Sequence, residues 1–371
     1  MMRQRLSSKW LAIGCLLYGF AAAAASETTP ATEPAAADQP VGGAPAAPFV
    51  GVILPLQSKQ LGPIADAIKS GINAALAVDG KNGPAVRFYP ASEQSDDVLF
   101  VYRQARDEGA KAVIGPLTKP AIAELVKSDL ATLPTIVLNT PDAGSKSSPQ
   151  VFNFGIGIDS EARQMARIAF AEGKRKALSL ALDSVFSKRL QNAFAEEWKA
   201  LGGELNELQL SSRRPNYSLL RATVEEKQPD MAFLAVDART AKALRSYLGE
   251  TPLYATSQIS NGRPNSGTMR ALAGLSYVDM PWLLDPKAAT VAPYARPAKR
   301  LNVDVERMYA LGIDAYRLAA QLAGGTPARL ALDGVSGHIE LGPHNQLLRK
   351  ATPSIIGLDD NPDSVEEPDP Q

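Results

Sequence analysis

The chain is poor in the residues that most often carry covalent or metal chemistry. Among 371 residues there is one cysteine, Cys15, and there are two histidines, His338 and His344. Cys15 lies inside the apolar stretch "LAIGCLLYGF" near the start, so the body has no thiol for a disulfide, a thiolate nucleophile or a cysteine metal site. The two histidines sit close together, with no carboxylate at ligand spacing on a rigid element, and a structural or surface role is the expectation, since a metal site needs three or four ligands. There is no Gly-x-Ser-x-Gly elbow, no Walker loop, no Ser-x-x-Lys and no Lys-Thr-Gly. "FGIGIDSE" has two glycines of a dinucleotide fingerprint but Asp159 and Ser160 where the third would be approached. We read it as a turn between two halves of the chain, with one of those two residues capping the next helix. These absences exclude a penicillin-recognising acyl enzyme and leave a hydrolase without a nucleophile and base. The expectation is a protein that is not an enzyme and carries no cofactor or metal.

Net charge is also lacking, with 39 basic and 39 acidic side chains. The balance is uneven along the chain. The first 25 residues carry three basic and no acidic residues, and the segments 26–48 and 358–371 carry nine acidic and no basic ones, which leaves 36 basic against 30 acidic between them. A mildly basic body fits ordinary solvated lysines and arginines, or an anionic partner. No nucleic-acid partner is expected.

Residues 1–25 read as an export signal: Arg3, Arg5 and Lys9 precede an apolar stretch and "AAAAAS". Cleavage after Ala25 is favoured over lipidation of Cys15, because the apolar region continues past the cysteine. That reading places the mature chain in the periplasm, with no membrane span after cleavage and an outer-membrane lipid anchor disfavoured. Residues 26–48, rich in Ala, Pro and Thr, cannot bury a core and are expected to be a disordered linker; the acidic tail 358–371 behaves alike.

Between these ends strand and helix patterns alternate. "VGVILPL", "AVRFYPA", "AVIGPL", "PTIVLNT", "VFNFGI", "KALSLAL", "MAFLAVD", "LYATS", "LSYVDMPWLL" and "GHIEL" read as strands, with amphipathic helices in the gaps, the first carrying Ile64, Ile68, Ile72 and Leu76 four apart. The order implies an α/β protein in which two lobes, each a parallel sheet flanked by helices, face one another across a cleft. The expected lobes are 49–155 with 286–330, and 156–285 with 331–357. Ligands dock at the carboxyl ends of such strands, so Gln57, Ser58, Thr118, Asn139 and Thr140 are the candidate cleft residues, Thr118 also as the cap of a helix that could receive a carboxylate. Asp279 and Trp282, in "YVDMPWLLDP", are candidates for the hinge, or for an exposed contact with a partner or sugar. Trp198 is expected in the core.

Taken together, "AVIGPLTKPAIAELVKS", "GIGIDSEARQMARIAFAEGKRKALSLA", "FAEEWKALGGEL", "LYATSQIS", "VDMPWLL" and "RMYALGIDAYRLA" resemble the penicillin-binding protein activator family (LpoA/LppC-like) over roughly residues 49–357. The resemblance implies a type I periplasmic-binding-protein-like fold. It also implies a non-catalytic periplasmic activator that docks on a class A penicillin-binding protein, a peptidoglycan synthase, by protein contact, with peptidoglycan as a second candidate partner. The alternative is a solute-binding protein of an amino-acid ABC transporter, in which Thr118 and nearby backbone groups would hold a carboxylate.

Overall fold

The computed structural model describes residues 48–140, 147–263, 266–325 and 329–357. The expected export signal, the linker up to Ala47 and the acidic tail lie outside the described residues.

Two parallel sheets organise the chain. The first takes β1 (Phe49–Leu54), β2 (Ala85–Pro90), β3 (Ala110–Ile114), β4 (Thr135–Val137) and β5 (Val151–Asn153) in the order β2-β1-β3-β4-β5, all parallel. Its crossovers are α1 (Gly62–Asp79), α2 (Ser95–Asp107) and α3 (Lys119–Lys127). All six residues of β1 are buried, as a central strand covered on both faces requires.

The second sheet begins after α4 (Ile158–Ala171). It comprises β6 (Lys176–Leu182), β7 (Glu204–Leu210), β8 (Met231–Ala235), β9 (Leu253–Ala255) and β10 (Ser276–Asp279), joined through α5 (Val185–Ala200), α6 (Tyr217–Lys227), α7 (Ala238–Arg245) and α8 (Gly267–Arg270). The strand order is β14-β10-β9-β8-β6-β7, where β14 (Thr352–Ile355) closes one edge antiparallel to β10. Trp198 stacks on Phe194 at 5.4 Å and is fully buried under this sheet, as expected.

Pro281 ends β10 and opens the short helix α9 (Pro281–Leu284), so "LSYVDMPWLL", predicted as one continuous strand, divides into the strand "SYVD" and the helix "PWLL". The chain then enters α10 (Val303–Ala323), which lies along α1, and forms a small antiparallel sheet of β11 (Ala331–Asp333), β12 (His338–Leu341) and β13 (Leu347–Lys350). Leu330, Leu332, Val335, Ile339 and Leu347 bury with Met280, Trp282 and α10 in the first lobe's core. The apolar side chains of residues 331–350 therefore pack in the first lobe's core, where the sequence placed the segment in the second lobe, while β13 also meets α4 through Arg349 and Glu161. The apolar face of "HIEL" and its hairpin partners is satisfied by α10 and its neighbours. Three crossings join the lobes, near Gly157, Asp279 and Ala351.

Candidate functional site

The carboxyl ends of β1, β3 and β4 share one edge, as parallel strands require, and the five predicted cleft residues lie on the loops that leave it. Gln57 is exposed. The Ser58 hydroxyl accepts the N–H groups of Gln60 at 3.1 Å and Leu61 at 2.8 Å and donates to Glu93, so it closes its own loop against the loop after β2. Gly115, at φ +101°, turns the chain out of β3, and an added Cβ there would meet the Ile53 carbonyl at 2.0 Å. Thr118 occupies the N-cap position of α3 in an extended conformation, but its side chain makes no capping bond, and its buried Oγ1 has no partner. The predicted cap is thus absent. Asn139 donates to the Leu117 carbonyl at 3.1 Å and accepts from the Thr140 N–H at 2.9 Å. The loops of Thr118, Asn139 and Thr140 are brought together, while Ser58 is drawn toward Glu93. The side chains of Ser58 and Asn139 bond within these loops, whereas Thr118 Oγ1 does not.

The hinge candidate Asp279 has charged partners that sequence reasoning missed. Arg307, on the second turn of α10 and 2% exposed, forks onto Asp279 with Nε to Oδ1 at 3.1 Å and Nη2 to Oδ2 at 2.7 Å. The same guanidinium reaches Asp304 at 2.6 Å and the Ser257 carbonyl at 2.8 Å. The Ser257 N–H donates to Glu161 at 3.0 Å, and Glu161 pairs with Arg349, which donates to the Ser336 carbonyl at 3.0 Å. Asp314 accepts the N–H groups of Val335 and Ser336 at 3.0 and 2.7 Å. Gln164 exchanges two bonds with the Ala351 backbone, at 2.7 and 3.0 Å. Burial pulls the Arg307 guanidinium down, but Asp279 and Asp304 outweigh it and hold it above its ordinary value. Burial raises the Asp314 carboxyl, against the Ser336 bonds that lower it.

Asp279 therefore sits at a crossing, in the hinge. Trp282 is 0% exposed, its indole donating to Glu306 at 3.2 Å beneath the Arg296 guanidinium. Neither side chain offers surface to a partner or sugar, which corrects the exposed-contact expectation: the apolar residues around α10 bury the ring. Asp159 and Ser160 do not cap α4 but lie within its first turn, and Asp159 pairs with Arg189 at 2.6 Å.

The second lobe's carboxyl edge is less closed. A cavity of about 600 Å³ opens between the loops after β8 and β9 and the start of α10, lined by Asp237, Arg239, Gln258, Asn261, Arg263 and Asn302 among others. None of the predicted cleft residues lines it.

Among the described residues of the two edges no catalytic set is assembled. His338 Nδ1 lies 2.5 Å from Asp333, a carboxylate the sequence did not pair with it, at the exposed end of a hairpin. Among the described residues no three of His, Cys, Asp or Glu converge as metal ligands, and no helix is long and apolar enough to cross a membrane.

Two parallel-sheet lobes joined by three crossings define a type I periplasmic-binding-protein-like fold. Comparison with known proteins narrows this to a family: residues 46–216 and 218–352 match the family described as "LppC putative lipoprotein", and the chain belongs to it. It is 26% identical over 290 residues to the penicillin-binding protein activator LpoA of Enterobacter sp. (strain 638), covering 66% of this chain and 40% of that one. It is 25% identical over 317 residues to LpoA of Glaesserella parasuis serovar 5 (strain SH0165), covering 81% and 52%. The chain thus spans about half the length of the curated relatives it matches. Among solved structures, the C-domain of LpoA (YraM) from Haemophilus influenzae, "a regulator of PBP1A", superposes with a TM-score of 0.69 at 22% identity, covering 83% of this chain and 97% of that one. A protein of Chromobacterium violaceum ATCC 12472, described as "a putative branched-chain amino acid ABC transporter", superposes with a TM-score of 0.73 at 36% identity, covering 83% and 99%.

Proposed function

We propose that this chain is a non-catalytic activator of a class A penicillin-binding protein, acting in the periplasm by protein contact. The observation that carries the reading is family membership together with relatives named as activators along the whole two-lobed body. The site geometry supports it. The hinge is bonded by buried charges, and Ser58 and Asn139 on the first lobe's edge are bonded within their own loops, so the body is suited to presenting a fixed surface. The family is described as a lipoprotein, and an acyl anchor would need Cys15, the cysteine that cleavage after Ala25 would remove. The deciding experiment is cross-linking by the organism's purified class A synthase on lipid-linked substrate, with and without the chain from Ser26 onward. Stimulation that saturates near one activator per synthase is expected. A synthase whose rate and binding do not respond would overturn the proposal.

The C. violaceum neighbour favours a second reading, a solute-binding protein for amino acids. It requires a carboxylate clamp at Thr118 and an acidic group for the amine. Thr118 Oγ1 is unpaired but buried, and Glu93, the carboxylate of the described residues on the neighbouring loop after β2, is held by Ser58. Calorimetric titration with leucine and its Thr118→Val variant tests this. Tight binding lost in the variant would favour transport.

A further inference from the structure

The cavity on the second lobe's edge has features that neither reading uses. It lies at the carboxyl ends of β8 and β9, where an open α/β sheet places ligands, and its volume of about 600 Å³ is in the range of small-molecule sites. Two guanidiniums line it, Arg239 from the first turn of α7 and Arg263 from the loop after β9, and no carboxylate among the described residues pairs with either. Between them stand Gln258, Ser260, Thr268 and Asn302, which bear amide and hydroxyl groups.

Several of these groups are fixed from behind. Asn261 accepts the Arg263 N–H at 2.9 Å and donates to Ser266 at 3.0 Å, which orients the arginine's backbone. Asn302 spends its carbonyl oxygen on the Asp304 N–H at 2.9 Å, leaving its amide N–H₂ for the cavity side. Asp237, the one carboxylate of the lining, has Oδ1 occupied by the Thr240 N–H at 2.8 Å as the cap of α7. The lining therefore carries two forks of positive charge against one committed carboxylate. A second space of about 340 Å³ shares Asn261, Arg263 and Asn302 with the first and extends the polar channel toward Arg300 and Glu306.

We infer that this cavity binds a small hydrophilic anion, a carboxylate or phosphate held by Arg239 and Arg263 on a body rich in hydroxyl or amide groups. Guanidiniums suit such anions because they donate two parallel hydrogen bonds, and a pair of them excludes a neutral ligand from the strongest contacts available. A zwitterionic amino acid fits less well, since two guanidiniums stand against one lining carboxylate, Asp237, whose Oδ1 already accepts the Thr240 N–H. The inference goes beyond the activator proposal and stands independently of it. Because Asn302 begins the helix that carries Arg307, a bound anion would touch both the second lobe and the helix that crosses from the hinge.

The test is calorimetric titration of the full chain with glucose 6-phosphate, galacturonate, N-acetylglucosamine and leucine. At least one of the two anions is expected to bind with a Kd below about 1 mM, and the neutral sugar and leucine at least about tenfold more weakly. Which anion binds distinguishes phosphate from carboxylate. Arg239→Gln and Arg263→Gln are each expected to weaken the anion about tenfold or more, with thermal unfolding confirming that both variants are folded. Arg213→Gln, the same loss of charge on the same edge outside the cavity, should leave binding unchanged. The inference is overturned if neither anion binds, if the neutral sugar or leucine binds as well as the anions, or if Arg213→Gln weakens binding as much as the cavity variants.

Discussion

Arg307 and Asp279 are each no more than 2% exposed, and the energetics of the hinge turn on their pairing. An ion pair this deep gains little over an apolar pair of equal volume, because both charges leave water. Removing one partner is different, since it strands the other. Arg307→Met should therefore cost about 3–5 kcal/mol in urea unfolding. The double replacement Asp279→Leu with Arg307→Met should recover most of that. If the single variant unfolds like the parent, the pair is not holding the crossing. Asp279 was a hinge candidate from the sequence, but its partner does not announce itself by pattern. Arg307 stands in "VERMYALGID", where a charge on a helix reads as solvent-facing. The one signal available was that Arg307 and Asp314 stand seven apart, two turns along one face of a segment otherwise apolar on that side.

At the scale of elements, the first lobe depends on α1 and α10 lying backbone to backbone. A Cβ on Gly71 would fall 2.0 Å from the Tyr309 carbonyl, and one on Gly312 would fall 2.2 Å from the Ile68 carbonyl. Neither neighbour is a flexible side chain that could turn away, so the helices must separate. Gly71→Ala and Gly312→Ala should each destabilise by about 2–4 kcal/mol despite alanine's better helix propensity, read as a lowered midpoint in chemical denaturation. A neutral or stabilising alanine at either position would show that the helices have room. Each helix was legible as an amphipathic pattern, yet the pairing was not, because the residues that permit it carry no side chain to enter the pattern. The same logic separates the strands. Buried β1, β6 and β8 are apolar runs and were plain in the sequence. Edge strand β7, "ELNELQL", alternates exposed glutamates with half-buried leucines and was not read as a strand. Edge strand β14 contains Pro353, tolerated because its neighbour lies on one side only. Of the candidate site, the first lobe's loops were found from strand ends alone. The second lobe's cavity escaped, since its arginines and amides come from the stretches after β8 and β9 and the start of α10, which only the fold brings together.

For the whole molecule the question is whether the lobes move. Type I two-lobed proteins that capture solutes do so by closing, which requires crossings able to bend. Here each crossing is tied: Glu161 and Gln164 hold the start of α4 to Arg349 and Ala351, and Arg307 holds the end of β10 to α10. Opening or closing would have to break buried polar bonds, each costing about 1–3 kcal/mol when left unmade. A body so tied should expose its crossings to solvent only on unfolding. Hydrogen exchange should therefore find the amides of Ser257, Met280 and Ala351 protected nearly as well as the central strand β1, with Gln164→Ala releasing Ala351 first and Ser257 keeping its protection through Glu161. Fast exchange at all three in the unaltered chain would mean that the crossings open freely, and the proposed activator would then have to be understood as a body that changes shape on contact with a partner. Protection at all three leaves a fixed two-lobed surface, one that can stimulate a partner only by what it presents and where.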